Sequence, residues 1–147
     1  MARIQVALPS SFDFSTEIPI RITDLNYGGH VGNDTVLSLI HEARIQFLKH
    51  YGYSETDLEG TGLIMSDAAI EYKNESFHGD ILRIYVAVTD IARATFDVVY
   101  KIEKVKDGKT FTVAHAKTGM VCFDYTRRKV TAIPEEVKNK WLSQNTN

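Results

Sequence analysis

The spacing of apolar residues predicts one long amphipathic helix in the body of the chain. Between positions 34 and 51, apolar residues recur every three or four positions, the period of a helix with one buried face. Asn33 or Asp34 suits the N-cap position, and Gly52 suits the end of the helix. The expected buried stripe consists of Val36, Ile40, Ala43, Phe47 and Tyr51.

Much of the remaining chain alternates apolar and polar residues with the two-residue period of β-strands. Pro19 suits an edge strand, because it cannot donate a hydrogen bond within a sheet. Asp107 and Gly108 form a two-residue hairpin signal, so the strands on either side should be antiparallel. A short terminal helix is expected at 134–142. The predicted strands are 17–23, 63–72, 82–89, 96–103 and 110–124.

This order of elements predicts an α+β fold, in which a curved antiparallel sheet of about five strands wraps around the long helix. Residues 1–16, broken by Pro9, are expected to form a short leading strand or arm. The whole chain, 1–147, is expected to be a single domain, since no repeat or linker interrupts it. Such a sheet has exposed edges, and pairing between subunits would cover one of them. We therefore expect a homodimer or homotetramer, with strands continuing across the dimer.

Composition and charge argue against several classes of function. The net charge of −2 and the pI of about 6.2 give no electrostatic footprint for nucleic acid. The one dense basic cluster, 127–129, is expected to be a solvated turn, with contact to a phosphate-bearing ligand as the alternative. No run of about 20 apolar residues indicates a membrane span. The N-terminus lacks the pattern of a signal peptide, so we expect a cytoplasmic protein.

The chain has a single cysteine, Cys122, which excludes an intrachain disulfide. It lies in an apolar strand-like run, where a free cysteine behaves as a small hydrophobic residue. We therefore expect Cys122 to be a core residue rather than a nucleophile.

The most informative segment is DLNYGGHVGN, positions 24–33, between the first predicted strand and the helix. Its glycines, Gly28, Gly29 and Gly32, free the backbone to form a tight loop. Such a loop directs backbone N–H groups at the helix start toward a bound group, where they can stabilise developing negative charge. The imidazole of His30 can exchange a proton near neutral pH. This combination indicates a site that stabilises an oxyanion.

Three segments of the chain resemble the hotdog-fold acyl-thioester hydrolases of the 4-hydroxybenzoyl-CoA thioesterase-like superfamily. The loop DLNYGGHVGN matches the pattern D-x-[DN]-x-x-G-H-V-x-N of that family. The helix segment HEARIQFLKHYGY is similar as well. So is GLIMSDAAIEYKNESFHGD, a strand closed by a Gly-Asp turn. The resemblance covers about 17–124.

The resemblance implies hydrolysis of an acyl-CoA or acyl-carrier-protein thioester, without a metal or other cofactor, at active sites on subunit interfaces. In the best understood branch, an Asp at the position of Asn26 is the nucleophile or base. The amide at the helix start, here near Asn33, polarises the thioester carbonyl. Asn26 departs from that pattern, because a carboxamide cannot take up a proton. His30 is then one candidate base, and Glu42 is another, since a helix carboxylate has this role in another branch.

Structural roles compete with each of these assignments. Asn26 could only shape its loop, and His30 could only satisfy a loop carbonyl. Glu42 lies opposite the apolar stripe on a helical wheel, so it is either solvated or directed across a subunit interface. Asp67 lies within an apolar strand, so its carboxylate needs a partner or a place in a cleft. The residues expected to bind substrate are Tyr27, Gly28, Gly29, Asn33 and Asp67.

The four other histidines show no metal-ligand spacing, so no metal site is expected. Thioester hydrolysis is the first hypothesis, but two other functions are compatible with the sequence. Enoyl-CoA hydratases of the same fold use a D-x-N-P-x-H loop, whose first half resembles Asp24 and Asn26. Here the proline is missing and the histidine comes one residue later, so a hydratase or dehydratase ranks second. A non-catalytic acyl-CoA-binding protein ranks third.

Overall fold

The computed structural model describes residues 2–144 as an antiparallel sheet with two α-helices, which confirms the predicted α+β class. A 3-10 turn at Ile22–Asp24 precedes the first helix. The helices are α1 (Thr35–His50) and α2 (Glu135–Gln144). The strands are β1 (Phe14–Pro19), β2 (Gly62–Tyr72), β3 (Ile81–Thr89), β4 (Thr95–Lys106), β5 (Lys109–Asp124) and β6 (Lys129–Val130).

The main sheet has the order β1-β3-β4-β5-β2, and each neighbouring pair is antiparallel. The two-residue strand β6 adds to the end of β5, so six strands take the place of the expected five or so. Asp107 and Gly108 have φ angles of 53° and 75°, the left-handed conformation that a type I′ hairpin requires. The β4–β5 hairpin is therefore the one that the sequence predicts. Pro19 ends the edge strand β1, as expected of a residue without an N–H.

The core lies between α1 and the sheet. The predicted helix stripe is buried at Val36, Ile40, Ala43 and Phe47, and Leu39 joins it at 4% exposure. Alternate residues of β3 and β4 complete the same hydrophobic cluster, because their side chains point to one face of the sheet. Each large apolar side chain buried here contributes about 1.5–3 kcal/mol. The fully buried strand residues include Leu82, Ile84, Val86, Phe96, Val98, Tyr100 and Ile102.

The prediction of a strand at 17–23 was wrong in its bounds. Pairing with β3 begins at Phe14 and ends at Pro19, and Ile22 is 67% exposed instead of facing the core. The backbone turns away after Pro19 because the carboxylate of Asp24 accepts a hydrogen bond of 2.8 Å from the N–H of Arg21. Residues 2–13 form neither strand nor helix. Of the expected leading arm at 1–16, only residues 14–16 belong to a strand, as the start of β1.

Two smaller expectations also have clear outcomes. Asp34 occupies the N-cap position of α1, but its side chain makes no capping hydrogen bond. The N–H of Thr35 donates instead to the carbonyl of Gly32 at 3.0 Å, so a backbone turn starts the helix. Cys122 is completely buried, as predicted, and burial raises the pKa of its thiol. A thiol held in its neutral form is a poor nucleophile.

Candidate functional site

The loop before α1 is closed by hydrogen bonds between its two ends. Leu25 and Val31 form an isolated antiparallel bridge, and the N–H of Asn26 donates to the carbonyl oxygen of His30 at 2.8 Å. Oδ1 of Asn26 accepts from the N–H of Gly28 at 2.8 Å, the hydrogen bond of an Asx turn. Asn26 thus shapes the loop that carries His30.

Glycine at position 28 lets this turn lie close to the imidazole. A Cβ added at Gly28 would lie 3.2 Å from Oδ1 of Asn26 and 3.4 Å from Nε2 of His30. The next residue, Gly29, has a φ of 80°, a conformation that disfavours any side chain. Gly28 therefore leaves the Nε2 side of the His30 ring uncrowded, and Gly29 permits the backbone conformation of the turn.

A cavity of about 260 Å³ opens between the start of α1 and the segment that follows β2. Much of its wall is apolar and comes from the helix and from three strands of the sheet: Val36, Leu39, Leu82, Ile102 and Val113. Polar groups converge on it from two places in the sequence: His30, Asn33, Tyr72, Lys73, Asn74, Glu75 and Ser76. An apolar cavity with a few convergent polar groups is typical of a small-molecule site.

His30 is held by a backbone contact on one side and faces a carboxylate on the other. Its Nδ1 lies 3.1 Å from the carbonyl oxygen of Val31, which can only accept, so we assign the proton to Nδ1. Its Nε2 lies 3.8 Å from Oε1 of Glu75. This tautomer leaves the lone pair of Nε2 free to take up a proton. The Glu75 carboxylate would stabilise the charged ring that results.

Asn33 is tied to the end of β2. The hydroxyl of Tyr72 donates a hydrogen bond of 2.8 Å to the carbonyl oxygen of Asn33, across 39 positions of sequence. Burial and the nearby charge of Asp34 raise the pKa of Tyr72, which keeps its hydroxyl protonated as a donor. The contact fixes the backbone just before α1 at the edge of the cavity.

The opposite wall of the cavity is a loop anchored by a buried lysine. Lys104 is 6% exposed, and its Nζ donates to the carbonyl of Glu75 at 2.6 Å and to Oδ2 of Asp80 at 3.0 Å. Burial acts to raise the pKa of Asp80, but the N–H of Phe77 and the Lys104 ammonium outweigh it, and the pKa is lowered. The carboxylate therefore stays charged and holds the loop against β4.

Several of the sequence-predicted site residues do not line this cavity: Asn26, Tyr27, Gly28, Gly29, Glu42 and Asp67. Tyr27 is fully exposed in the turn. Glu42 is exposed on α1, where its Oε1 accepts a hydrogen bond of 2.9 Å from Nε2 of Gln46. Of the predicted residues, the structure brings only His30 and Asn33 to the cavity.

Asp67 has the partners that its position in a strand demands. A β-bulge interrupts the β2–β5 register at this point. Oδ1 of Asp67 accepts from Nζ of Lys117 at 2.8 Å and from the N–H of Gly119 at 3.0 Å. Both hydrogen bonds, that of Lys117 first, lower the pKa of Asp67. The carboxylate thus stands in for a missing backbone acceptor of the ladder.

The sequence did not identify the wall formed by residues 72–76. The signal for it is the run of polar residues between the end of an apolar strand and the Gly-Asp turn, because polar side chains in a buried loop need hydrogen-bond partners or contact with a cavity. Ser76 is 2% exposed, and its carbonyl accepts a hydrogen bond of 2.8 Å from the N–H of Val31. This bond joins the wall formed by residues 72–76 to the loop that carries His30.

The part of the chain that the structure describes contains no group of three or more His, Cys, Asp or Glu side chains suited to hold a metal. Neither helix within residues 2–144 has the length and apolar character needed to cross a bilayer. Of the basic residues 127–129, Arg127 and Arg128 lie in an exposed turn between β5 and β6, and Lys129 is the exposed first residue of β6. There, Oδ1 of Asp124 accepts from the N–H groups of Thr126 and Arg127.

Comparisons with known proteins agree on one family. The family model of the thioesterase-like superfamily matches residues 20–141. The 1,4-dihydroxy-2-naphthoyl-CoA hydrolase of Microcystis aeruginosa is 31% identical over 126 residues, which cover 84% of this chain and 88% of that protein. A putative esterase of Aquifex aeolicus is 27% identical over 111 residues, covering 74% of this chain and 82% of that protein.

Solved structures share the fold at lower sequence identity. The 1,4-dihydroxy-2-naphthoyl-CoA thioesterase from Synechocystis superposes with a TM-score of 0.78 at 21% identity, covering 91% of this chain and 98% of its own. This likeness supports the hotdog fold. The family match spans more than half of the chain, and the relative at 31% identity is named as a hydrolase of a CoA thioester. The chain therefore belongs to the thioesterase-like superfamily and is a thioester hydrolase.

Proposed function

We propose that the protein hydrolyses an acyl-CoA thioester to a free acid and CoA, with the acyl group in the cavity at the start of α1. The observation that carries this proposal is the placement of His30 and Asn33 on the same cavity. His30 offers a proton acceptor, and Asn33 lies at the start of α1, where the first N–H groups have no carbonyl one helical turn earlier in the helix. These are two of the groups that acyl transfer to water requires.

His30 is the general base of the proposed reaction. Its Nε2 removes a proton from a water molecule while that water attacks the thioester carbonyl carbon. Glu75, 3.8 Å from Nε2, stabilises the imidazolium that forms. The C–S bond then breaks, and the leaving thiolate takes the proton back from Nε2. Positioned proton transfer of this kind contributes at least about 100-fold to a rate.

The backbone N–H near Asn33 is the proposed donor to the carbonyl oxygen. Negative charge develops on this oxygen when water adds, and the positive end of the α1 dipole favours it. The Tyr72 hydroxyl supports this role indirectly, because it holds the Asn33 carbonyl and hence the peptide plane that this carbonyl shares with the N–H of Asp34. Tyr72 is thus a positioning residue rather than a catalytic one.

The proposed substrate is a CoA ester rather than a carrier-protein ester. The relative at 31% identity is named as a CoA hydrolase, and that name refers to a bicyclic aromatic acyl group. The apolar walls formed by Val36, Leu39 and Val113 suit an acyl group with an apolar body. The sequence also allows a carrier-protein substrate. Hydrolysis rates for the CoA ester and the carrier-protein ester of the same acyl group would distinguish the two.

We further propose a homodimer in which the free edge of β2 pairs with the same strand of a second copy. Within residues 2–144, β2 pairs with β5 and with no other strand. Ile64 and Met65 on this strand are 37% and 49% exposed, although both are large and apolar. An edge with exposed apolar side chains favours pairing with another chain. Two such dimers could form the tetramer that the sequence also allows.

Steady-state release of free CoA from a panel of acyl-CoA esters, followed with a thiol reagent, tests the proposed reaction. Release of thiol in equal amounts to free acid is the expected result. Addition of water to an enoyl-CoA without thiol release would assign a hydratase instead. Tight binding of the esters with neither reaction would assign a binding protein.

A further inference from the structure

Residues 2–13, called here the N-terminal segment, are attached to the outer face of the sheet, the face that points away from α1. The ring of Phe12 lies 5.8 Å from that of Tyr85 in β3, and Nζ of Lys101 in β4 lies 4.5 Å from the centre of the Tyr85 ring. Tyr85 and Lys101 alternate with core residues of their strands, so their side chains point to the outer face. Six residues earlier, the N–H of Val6 donates to Oε1 of Glu71 in β2 at 2.5 Å.

The side chains that hold the N-terminal segment belong to one row across the sheet. Tyr85 is paired with Lys101, Lys101 with His115, and His115 with Glu71. The row therefore crosses β3, β4, β5 and β2, a width of about 14 Å at the usual strand spacing. The chain from Phe12 to Val6 can span up to about 20 Å, which is enough for this width. The N-terminal segment thus runs across the strands, from β3 toward β2.

The attachment at β2 is held by charge. Oε2 of Glu71 lies 3.1 Å from Nζ of Lys73, while Oε1 accepts from Val6. The N–H of Val6 first, and then Lys73, lower the pKa of Glu71, so the carboxylate stays ionised as an acceptor. The N-terminal segment is therefore fixed at the last strand of its own sheet.

Residues 2–5 continue from this point and are all exposed to solvent. Among them is Ile4, a large apolar residue that is 60% exposed. Within residues 2–144, no further strand lies beyond β2 on this side. Four residues can span up to about 14 Å, nearly three strand spacings. Continued in the direction of the row, residues 2–5 would reach past the edge of the sheet.

The proposed pairing of two β2 strands places a second sheet at that position. A two-fold axis perpendicular to the sheet makes the two strands antiparallel and keeps both outer faces on the same side. The end of β2 that carries Glu71 then lies beside the opposite end of the second β2, which carries Ile64. Ile64 is paired with Val121, which alternates with buried residues of β5, so Ile64 points to the outer face. It is 37% exposed there.

We propose that residues 2–5 cross the dimer boundary and that Ile4 packs against Ile64 of the partner subunit. This inference rests on the β2 dimer of the proposed function. The two-fold symmetry repeats the contact, so two exposed isoleucines of each subunit leave water when the dimer forms. The N-terminal segments thus tie the two subunits together on the outer face, while the β2 strands join them at the edge.

A disulfide between the two positions tests the contact. The double variant Ile4→Cys, Ile64→Cys should form a covalent dimer on mild oxidation, seen on a non-reducing gel, and peptide mass spectrometry should find the 4–64 link in the dimer band. The native Cys122 is completely buried and should stay reduced. The control Ile22→Cys, Ile64→Cys carries a cysteine at another exposed isoleucine, outside residues 2–13, and should form no 22–64 link. A 4–64 link found only in the monomer band, or none at all, would overturn the inference.

The dissociation constant of the dimer gives a second test, by sedimentation over a dilution series. Ile4→Ser should raise it about tenfold or more, because the apolar contact is lost twice in each dimer. Ile22→Ser should leave it within about twofold of wild type. An unchanged constant in Ile4→Ser would overturn the inference and leave the β2 dimer standing, whereas a monomeric wild type would overturn both. Failure of the proposed hydrolysis would appear in the CoA-release assay, on which neither test depends.

Discussion

Tyr72, the last residue of β2, donates a hydrogen bond of 2.8 Å to the backbone carbonyl of Asn33, two residues before α1. The contact joins the edge of the sheet to the helix start where the cavity opens. A chemically equivalent contact lies at the other end of β2, where the hydroxyl of Tyr125 donates to the carbonyl of Leu63 at 3.0 Å. Removing each hydroxyl in turn therefore separates the local role of Tyr72 from the general effect of losing a tyrosine hydroxyl.

Tyr72→Phe should lower kcat about tenfold, because the backbone at Asn33 loses the contact that positions it. The free energy of unfolding should fall by no more than about 1 kcal/mol, since the hydroxyl is near the surface. Steady-state kinetics and urea unfolding measure the two effects. Tyr125→Phe should leave kcat near the wild-type value. Equal effects of the two substitutions would show that Tyr72 has no special role.

His30→Ala should reduce kcat at least about 100-fold, because the proposed base is removed. His78→Ala provides a matched control, because His78 is exposed in the turn before β3. A near-normal rate for His30→Ala would exclude His30 from the reaction.

Glu42→Gln distinguishes His30 from the competing base. Glu42 is exposed on α1 and accepts a hydrogen bond from Gln46, which a glutamine side chain can still do. We expect kcat within about twofold of wild type. A loss comparable to that of His30→Ala would place the base on Glu42, acting across a subunit boundary.

Asn26→Asp should keep or raise activity. A carboxylate oxygen can accept the N–H of Gly28 as the amide oxygen does at 2.8 Å, so the loop should keep its shape. The substitution also restores the carboxylate that the resemblance to the family implies at this position. Initial rates across a pH series measure the effect. A drop of more than about tenfold would mean that the amide N–H₂ of Asn26 has a role that a carboxylate cannot supply.

Asp80→Asn should destabilise the protein in a pH-dependent way. The folded-state pKa of Asp80 lies below its ordinary value of 3.8, so its stabilising effect is present above that pH and is lost as the pH falls through the folded-state pKa. At pH 7, loss of the charge beside buried Lys104 should cost about 2 kcal/mol. Urea unfolding of both proteins should show this difference shrinking toward pH 3.

The control for this experiment is Asp107→Asn, in the exposed β4–β5 turn. Asparagine tolerates the φ of 53° at this position, so little change in stability is expected at any pH. A constant difference between wild type and Asp80→Asn from pH 7 to pH 3 would contradict the proposed ion pair.

The strongly periodic elements could be predicted from the sequence, because burial alone dictates their pattern. The strands β3 and β4 place every second residue in the core, and α1 begins and ends within two residues of its predicted bounds. The strand at 17–23 could not be placed so well. Its alternating Ile18, Ile20 and Ile22 fit a strand, but the chain turns after Pro19, where the N–H of Arg21 donates to the Asp24 carboxylate. Period alone does not reveal such local competition.

The candidate site was predicted in part. The glycine-rich loop marked His30 and Asn33, because residue types in one short segment carry that signal. The second half of the cavity comes from residues 72–76, about 40 positions later, and depends on tertiary contacts such as Lys104 with Glu75. Asp67 illustrates the same limit, since its partner Lys117 lies on the neighbouring strand.

The release of CoA from acyl-CoA esters by wild type and His30→Ala, measured side by side, tests the central claim most directly. The account predicts that the wild type releases CoA and free acid in equal amounts, and that the folded variant does so at least about 100-fold more slowly. Equal rates for the two proteins would contradict it, because hydrolysis would then proceed without the cavity residue on which the mechanism depends.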